Sequence, residues 1–333
     1  MLSLRSSPLL KTRCARTPLA RPLLHPLQLS EDKKFVPAFG LDLYSAHTLS
    51  TVRPFVNRLV EECGKVTPPI SITTVNTEYG RGQLEMPLAK GPGIDSADAA
   101  FSFKQLVKQL AASEFDQLAT FTSKVSFDSL NSGCASGGHF NFSLSGSSVS
   151  TGKGILKTEA ADEEMQAHFI AGVLNHIPGI TAICSPSPPC YHRRGQWSPV
   201  RNDYGFENRT ACIRGKNDAN AEGGGDNKYF ELRLPSSASN PYLVLLCVVA
   251  AGLDGIRKKT KVVENKAVPA SLDEALVALE EDEVISKALG ERFVKAYTSV
   301  KKAEIDEVKW RTEGRASKST LEEAYAEMYL EFV

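Results

Sequence analysis

The sequence lacks a net charge, a long apolar run and any closely spaced cysteine pair. Its 333 residues carry 39 basic and 39 acidic side chains, so no overall field attracts the chain to nucleic acid or to an anionic membrane. The longest apolar stretch, residues 242–253, is shorter than the roughly 20 residues that cross a bilayer. It predicts a buried helix, and we expect neither a nucleic-acid partner nor a membrane.

The seven cysteines form no Cys-x-x-Cys spacing and no even-numbered framework. They therefore indicate neither a zinc site nor a disulfide scaffold. A reducing compartment, the cytoplasm, is the simplest location. The hydrophobic fraction of 42% is typical of an ordinary folded protein with one large core or two smaller ones.

The first 34 residues differ in composition from the rest. Five basic residues and no acid occur before Glu31, which is typical of a mitochondrial presequence. Four prolines in the same range would interrupt the amphipathic helix that such signals form. We predict a disordered or targeting leader over residues 1–34, with a mitochondrial location as the alternative to the cytoplasm.

Apolar periodicity predicts clustered strands with helices around them. Predicted helices cover residues 49–63, 95–112, 162–177, 240–256, 272–279, 284–302 and 319–332. Predicted strands cover residues 70–75, 118–125, 139–144, 208–214 and 229–234. Because strands and helices do not alternate regularly, the pattern favours an α+β fold with an antiparallel sheet packed with helices.

Two carboxylates, Glu78 and Glu85, flank a turn that contains Gly80 and Gly82. In a flat strand their odd separation would place them on opposite faces. A turn or bulge can bring both to one side, where carboxylate oxygens suit magnesium or manganese. A solvated turn is the alternative interpretation.

A second candidate group lies in the predicted strand 229–234. Period-two alternation places Glu231 and Arg233 on one face, where a carboxylate could hold a metal and a guanidinium an anion. A plain surface ion pair is the alternative. His139 follows a glycine-rich turn and could be a metal ligand or a structural histidine.

Arginines cluster in two short segments beside loops. The guanidinium fork matches both phosphate and carboxylate oxygens, which could be gripped in pairs by Arg193, Arg194, Arg209 and Arg214. Scattered surface arginines are the alternative.

Six short segments carry a family resemblance. In chain order they read GQLE, SGGHFNFSL, CYHRR, NRTACIR, FELRLP and NPYLVLLCVVAAGLDGI. In this succession and at these intervals they resemble the catalytic domain of the glutamine synthetase family. The resemblance runs from about residue 39 to the C-terminus and implies a glutamine synthetase-type catalytic domain over residues 35–333.

The resemblance implies roles for nine residues. The metal ligands would be Glu78 and Glu85, with His139 and Glu231 at a second, ATP-linked metal. Ser143 would belong to the nucleotide site and Arg214 to its ATP side. The glutamate carboxylate and the transferring phosphate would be held by Arg193, Arg209 and Arg233.

The implied activity is that of an ATP-dependent carboxylate–amine ligase. ATP would phosphorylate the γ-carboxylate of glutamate or a similar carboxylate, and ammonia or another amine would then displace phosphate. The implied cofactors are Mg²⁺ or Mn²⁺, with ATP as co-substrate. A homo-oligomer is left open.

Several positions depart from the family pattern. Trp197 stands in the segment 195–199 where the family has a glutamate that helps to deprotonate ammonium, and an indole cannot accept a proton. Asn141 replaces a histidine and Tyr229 an arginine, both of which the family uses toward ATP. The glycine-rich turn 134–139 lacks an asparagine that contacts substrate.

The family's Glu-x-Glu strand and its β-grasp domain of about a hundred residues are not found before Glu78. Three interpretations remain open. The chain is an active ligase with altered specificity, or a non-catalytic relative with a structural or interaction role. In the third interpretation, the sequence is an incomplete gene model of a full-length enzyme, and residues 1–30 are translated from the wrong start.

Overall fold

A computed structural model of the chain describes most of its residues. The described ranges are residues 43–80, 82–124, 135–146, 159–195, 198–217, 228–261, 265–314, 319–330 and 332–333, with backbone alone for three earlier strands.

The strands, in chain order, are β1 (Leu10–Lys11), β2 (Leu23–Leu29), β3 (Phe35–Pro37), β4 (Asn76–Thr77), β5 (Leu84–Glu85), β6 (Leu118–Thr120), β7 (Phe140–Phe142), β8 (Ser145–Gly146), β9 (Tyr204–Phe206), β10 (Ile213–Asn217) and β11 (Lys228–Leu232). The α-helices are α1 (Ala46–Thr51), α2 (Arg53–Lys65), α3 (Asp95–Phe115), α4 (Glu159–Asn175), α5 (Ile177–Cys184), α6 (Pro241–Lys258), α7 (Leu272–Glu281), α8 (Glu283–Leu289), α9 (Glu291–Lys309) and α10 (Leu321–Tyr329). A 3₁₀ helix spans Pro188–Arg193, and a π-helical turn spans Trp310–Gly314.

The main sheet has four strands in the order β7-β11-β10-β9. β11 is antiparallel to both of its neighbours, while β9 runs parallel to β10. Its apolar side chains, such as Phe142, Phe230 and Leu232, alternate to one face and pack on a core that α4 to α7 share. The predicted α+β fold with an antiparallel sheet packed with helices is confirmed.

A second sheet has the order β3-β2-β5-β4, with β6 also paired to β2. It packs with α2 and α3 around a separate core that includes Phe55, Phe103 and Phe121. β2 lies inside the range 1–34 that the sequence predicts as a leader, and it pairs with β5 at Leu84. A leader role for that range stays a prediction.

Helix α6 is the predicted buried helix. The side chain of Asn240 accepts hydrogen bonds from the backbone of Tyr242 and Leu243 and so caps its first turn. Two glycines let α4 and α6 approach closely, because a Cβ on Gly172 would lie 2.6 Å from Gly255 Cα. Within the described ranges, no single helix is long and apolar enough to cross a membrane. The same length and apolarity are reached there only by two helices taken together, α4 from Glu163 onward and α5, which are bent by 69° where they meet.

Three predicted elements are wrong in detail. Within residues 70–75, only Ile72 forms a β-bridge, and its partner is Leu88. The backbone N–H of Thr73 donates to the carbonyl of Pro87, but a proline has no N–H that could donate back and extend the pairing. Residues 208–212 form a turn, since Asn208 Oδ1 accepts from the backbone N–H of Thr210. The helix predicted over residues 284–302 is broken at Gly290, where φ is +90°.

His176 links two helix junctions to the last turns of α6. It lies between α4 and α5, where its Nδ1 is 2.7 Å from Asp282 Oδ2 and its Nε2 is 3.2 Å from Asp254 Oδ2. Asp282 also caps α8, and Lys258 lies 2.9 Å from Asp254. Burial alone would lower the pKa of His176, but the hydrogen bond and charge of Asp282, and then those of Asp254, raise it above its usual value.

Because its folded-state pKa is raised, protonated His176 stabilises the fold fully below the unfolded-state pKa near 6.5, and this contribution is lost as pH rises through the folded-state pKa. We expect His176→Gln to lower the free energy of unfolding more at pH 6 than at pH 8, as measured by urea denaturation. The same substitution at exposed His47 is the control. A His176→Gln effect that does not change with pH would contradict the assignment.

Candidate functional site

The second face of the main sheet is polar. Glu231 in β11 is directly opposite Asn141 in β7 and Arg214 in β10, so these three side chains share a face. Period-two alternation adds His139 and Ser143 at the two ends of β7, both of them half-buried. The alternation that buries the phenylalanines behind the sheet thus collects five polar side chains in front of it.

Glu231 is the centre of this face and is 1% exposed. Its Oε1 lies 2.8 Å from Arg233 Nη1 and 2.9 Å from His139 Nδ1. Its Oε2 lies 3.4 Å from Arg214 Nη1 and 3.6 Å from Lys216 Nζ. The predicted placement of Glu231 and Arg233 on one face is therefore found, as an ion pair between a buried carboxylate and a half-buried guanidinium.

The carboxyl of Glu231 is ionised despite its burial. Burial alone would raise its pKa, but the hydrogen bond and charge of His139, followed by the charges of Arg233 and Lys216, hold the pKa far below its usual range. A buried negative charge is thus stabilised by cationic groups in β10 and next to the ends of β7 and β11.

Arg193 approaches the same place from the 3₁₀ helix. It is 1% exposed, and its Nη1 donates to the carbonyl of Leu234 at 3.3 Å. A Cβ on Gly137 would lie 3.0 Å from Arg193 Nη2 and 3.1 Å from His139 Nε2, so both side chains crowd one glycine. Burial lowers the pKa of Arg193 to about 10, and its guanidinium stays charged at neutral pH.

Three chain segments hold these side chains in place. The loop before His139 is tied by backbone bonds of Ser136 to Ser123 at 2.8 Å and of Gly138 to Pro235 at 2.9 Å. Lys104 of α3 donates to the carbonyls of Ser237 and Ser239. The bonds of Ser136 and Gly138 position His139, and those of Lys104 join the segment after β11 to α3.

The predicted turn between Glu78 and Glu85 is confirmed as a hairpin. The backbone N–H of Glu78 donates to the carbonyl of Gln83 at 2.9 Å, and Asn76 is paired with Glu85. Glu78, Gln83 and Glu85 therefore share a face, as expected if the turn brings both carboxylates to one side. The Gln83 amide donates to the Ala135 carbonyl at 3.3 Å, which turns this face toward the loop before His139.

The donor set partly fits a divalent metal. Two ligands about 2.1 Å from a hexacoordinate cation lie about 3 Å apart, close to the 2.9 Å between His139 Nδ1 and Glu231 Oε1, and a cation bound there would replace the proton of the hydrogen bond between these two atoms. In the described part of the chain, however, no three His, Cys, Asp or Glu side chains come together as a metal cluster. The four predicted ligands are arranged as two pairs, and their metal roles stay predictions.

The remaining predicted arginines, Arg214 and Arg209, differ in burial. Arg214 is buried and also pairs with Glu207. Arg209 is exposed in the turn before β10. It takes part in none of the ion pairs that Glu231 forms with other described residues. Trp197, the replacement for the family's acid, lies outside the described residues.

Sequence reasoning missed Lys216 and Glu207. Lys216 is two residues after Arg214 in β10 and so shares its face, which strand periodicity could have shown. Glu207 follows β9 and reaches Arg214 through a strand pairing that no local pattern predicts.

We expect Glu231→Gln to lower the free energy of unfolding by about 3 kcal/mol, because removing one partner leaves buried cations uncompensated. Urea denaturation measures the change. Glu280→Gln, which breaks an exposed 3.6 Å pair with Lys302, is the control and should stay within about 0.5 kcal/mol. A Glu231→Gln variant as stable as the wild type would show that the cations do not depend on this carboxylate.

Comparison with known proteins identifies the family. The family model described as "Glutamine synthetase, catalytic domain" matches residues 16–317. Glutamine synthetase of Pyrococcus abyssi is 33% identical over 237 residues, which cover 65% of this chain and 51% of that protein. Lengsin of Homo sapiens is 30% identical over 277 residues, covering 76% of this chain and 50% of lengsin. The chain spans about half the length of the curated relatives it matches.

Solved structures show the same fold. A novel glutamine synthase homolog superposes with a TM-score of 0.73 at 23% identity, over 94% of this chain and 71% of that chain. GmaS in a complex with ADP superposes with a TM-score of 0.71 at 24% identity, over 94% and 73%. The family as a whole uses ATP and a divalent metal. On the match over residues 16–317, this chain belongs to the glutamine synthetase family through its catalytic domain.

Proposed function

We propose that this chain is an ATP-dependent carboxylate–amine ligase that forms an acyl phosphate from glutamate or a similar carboxylate. The observation that carries the proposal is the polar face of the main sheet. There, the ionised Glu231 and the adjacent His139 lie among the guanidinium groups of Arg214 and Arg233, with buried Arg193 beside them.

Phosphoryl transfer requires charge neutralisation and positioning more than covalent help from the protein. The terminal phosphoryl group of ATP passes to a carboxylate oxygen and ADP leaves. An amine nitrogen then attacks the acyl carbon, forms the amide bond and releases inorganic phosphate and a proton. Oxyanions develop at both steps, and fixed arginine forks can bind them in pairs.

Burial makes these arginines effective. Arg193 and Arg214 are almost completely buried, so a bound oxyanion would meet them where water screens little of the attraction. Both are held by protein acceptors, Arg193 by the Leu234 carbonyl and Arg214 by Glu207 and Glu231. The guanidinium groups are therefore oriented before any substrate arrives.

A divalent cation, Mg²⁺ or Mn²⁺, would add positive charge to the phosphoryl oxygens when bound. His139 and Glu231 are the pair spaced to hold it, and Glu78 and Glu85 supply two more carboxylates on the hairpin. ATP as co-substrate, a carboxylate, an amine and a homo-oligomeric assembly are part of the same proposal.

Trp197 bears on the amine. Because an indole accepts no proton, ammonium would have no carboxylate at that position to deprotonate it. We therefore propose an amine that is already neutral near pH 7. Hydroxylamine is such an amine and serves as a probe.

The alternative is a non-catalytic relative with a structural or interaction role. It is favoured by the donor count, since two metal donors rather than three meet at Glu231 in the ranges that the structure describes. Binding of nucleotide without turnover would be its signature.

The test is phosphate release from ATP with Mg²⁺ or Mn²⁺, glutamate and either ammonium or hydroxylamine. We expect turnover that depends on the carboxylate, is faster with hydroxylamine, and falls about a hundredfold in Arg193→Gln, because one oxyanion donor typically contributes that much. Exposed Arg257→Gln is the matched control. Nucleotide binding with no phosphate release under any of these conditions would reject the ligase and support the non-catalytic relative.

A further inference from the structure

Lys216 is a cation of the polar face that the family resemblance does not assign. It lies in β10 two residues after Arg214, and its side chain is 13% exposed. A lysine kept this far from water usually serves a negatively charged partner. The groups around Lys216 therefore indicate what kind of anion it binds.

Glu231 satisfies Lys216 only in part. The Lys216 Nζ lies 3.6 Å from Glu231 Oε2, which is longer than a normal hydrogen bond. The same oxygen is shared with Arg214 Nη1 at 3.4 Å. An ammonium group carries three donors, so Lys216 can bind a further acceptor while its charge still benefits from Glu231.

Tyr229 holds Lys216 in this position. The two residues are directly opposite each other in the β10–β11 ladder, and the Lys216 Nζ lies 5.2 Å from the centre of the Tyr229 ring. The ring attracts the ammonium and packs along the apolar stem of the lysine. Lys216 thus places a positive charge across the ladder from the tyrosine that replaces the family's arginine.

The charge balance indicates the kind of anion. Two carboxylates, Glu207 and Glu231, are paired with three cations, which are Arg214, Lys216 and Arg233. An anion with several charged oxygens, such as a diphosphate, can meet the positive charge that remains, with Arg214 contacting it through a guanidinium fork and Lys216 through a point charge.

We propose that Lys216, positioned by Tyr229, binds a diphosphate together with Arg214 on the polar face of the main sheet. The proposal deepens the proposed function, because a nucleoside diphosphate is the product that the ligase must hold. It adds Lys216 as a phosphate ligand that the family resemblance does not assign.

Calorimetric titration of the full chain with inorganic pyrophosphate and with ADP, in the presence of a chelator, tests the proposal. We expect Lys216→Met to weaken pyrophosphate binding about tenfold, because a charge-assisted hydrogen bond is lost. Lys216→Arg should retain affinity within about threefold, since the charge remains. Tyr229→Leu should weaken binding and Tyr229→Phe should not, because the ring holds the ammonium.

Lys302→Met is the matched control, since it removes an exposed lysine of α9 that lies 3.6 Å from the carboxylate of Glu280. Lys216→Gln replaces the methionine variant if that protein loses cooperative melting. Pyrophosphate affinity equal to wild type in the Lys216 variants, or no pyrophosphate binding by the wild type at millimolar concentration, overturns the inference. Pyrophosphate binding that depends on Lys216, without any ADP binding when Mg²⁺ or Mn²⁺ replaces the chelator, supports the diphosphate site and rejects the proposed ligase.

Discussion

The ionisation of one buried carboxylate organises the polar side of this fold. Glu231 is 1% exposed and would be costly to bury alone, but cations from β10 and β11 and the imidazole at the start of β7 surround it. The carboxylate and its partners hold one another in place. Positively charged groups are therefore kept at one depth in the sheet, where an incoming oxyanion can meet them.

The sheet makes this arrangement compatible with folding. Alternation sends Phe142, Phe230 and Leu232 into the helical core, and the same strands present charged groups on the other face. The charged groups around Glu231 therefore do not have to be accommodated between α4 and α6, whose close approach depends on Gly172 and Gly255. Apolar packing and the charged groups of the sheet are thus separated onto two faces of one layer.

Local sequence patterns predicted what depends on local geometry. Alternation placed Glu231 beside Arg233, the glycines between Glu78 and Glu85 indicated a turn, and apolar periodicity located the buried α6. The meeting of His139 with Glu231 followed only from the order of motifs across the chain, because strand periodicity does not specify which strands pair.

What was missed depends on non-local register or on competing local bonds. The face of Lys216 follows from periodicity, but its contact with Tyr229 depends on strand pairing, and Glu207 reaches Arg214 from the end of β9. The alternating residues 208–212 form a turn instead, since the side chain of Asn208 captures the backbone N–H of Thr210. Alternation indicates which face a residue occupies, but the pairing of strands decides its neighbours.

Anomalous diffraction from crystals grown with Mn²⁺ and ADP shows whether the polar face around Glu231 binds a metal and phosphates together. We expect a manganese peak within about 2.5 Å of both His139 Nδ1 and Glu231 Oε1, with phosphate oxygens against Arg214. Ordered ADP and manganese on another surface, with this face unchanged, would contradict this expectation.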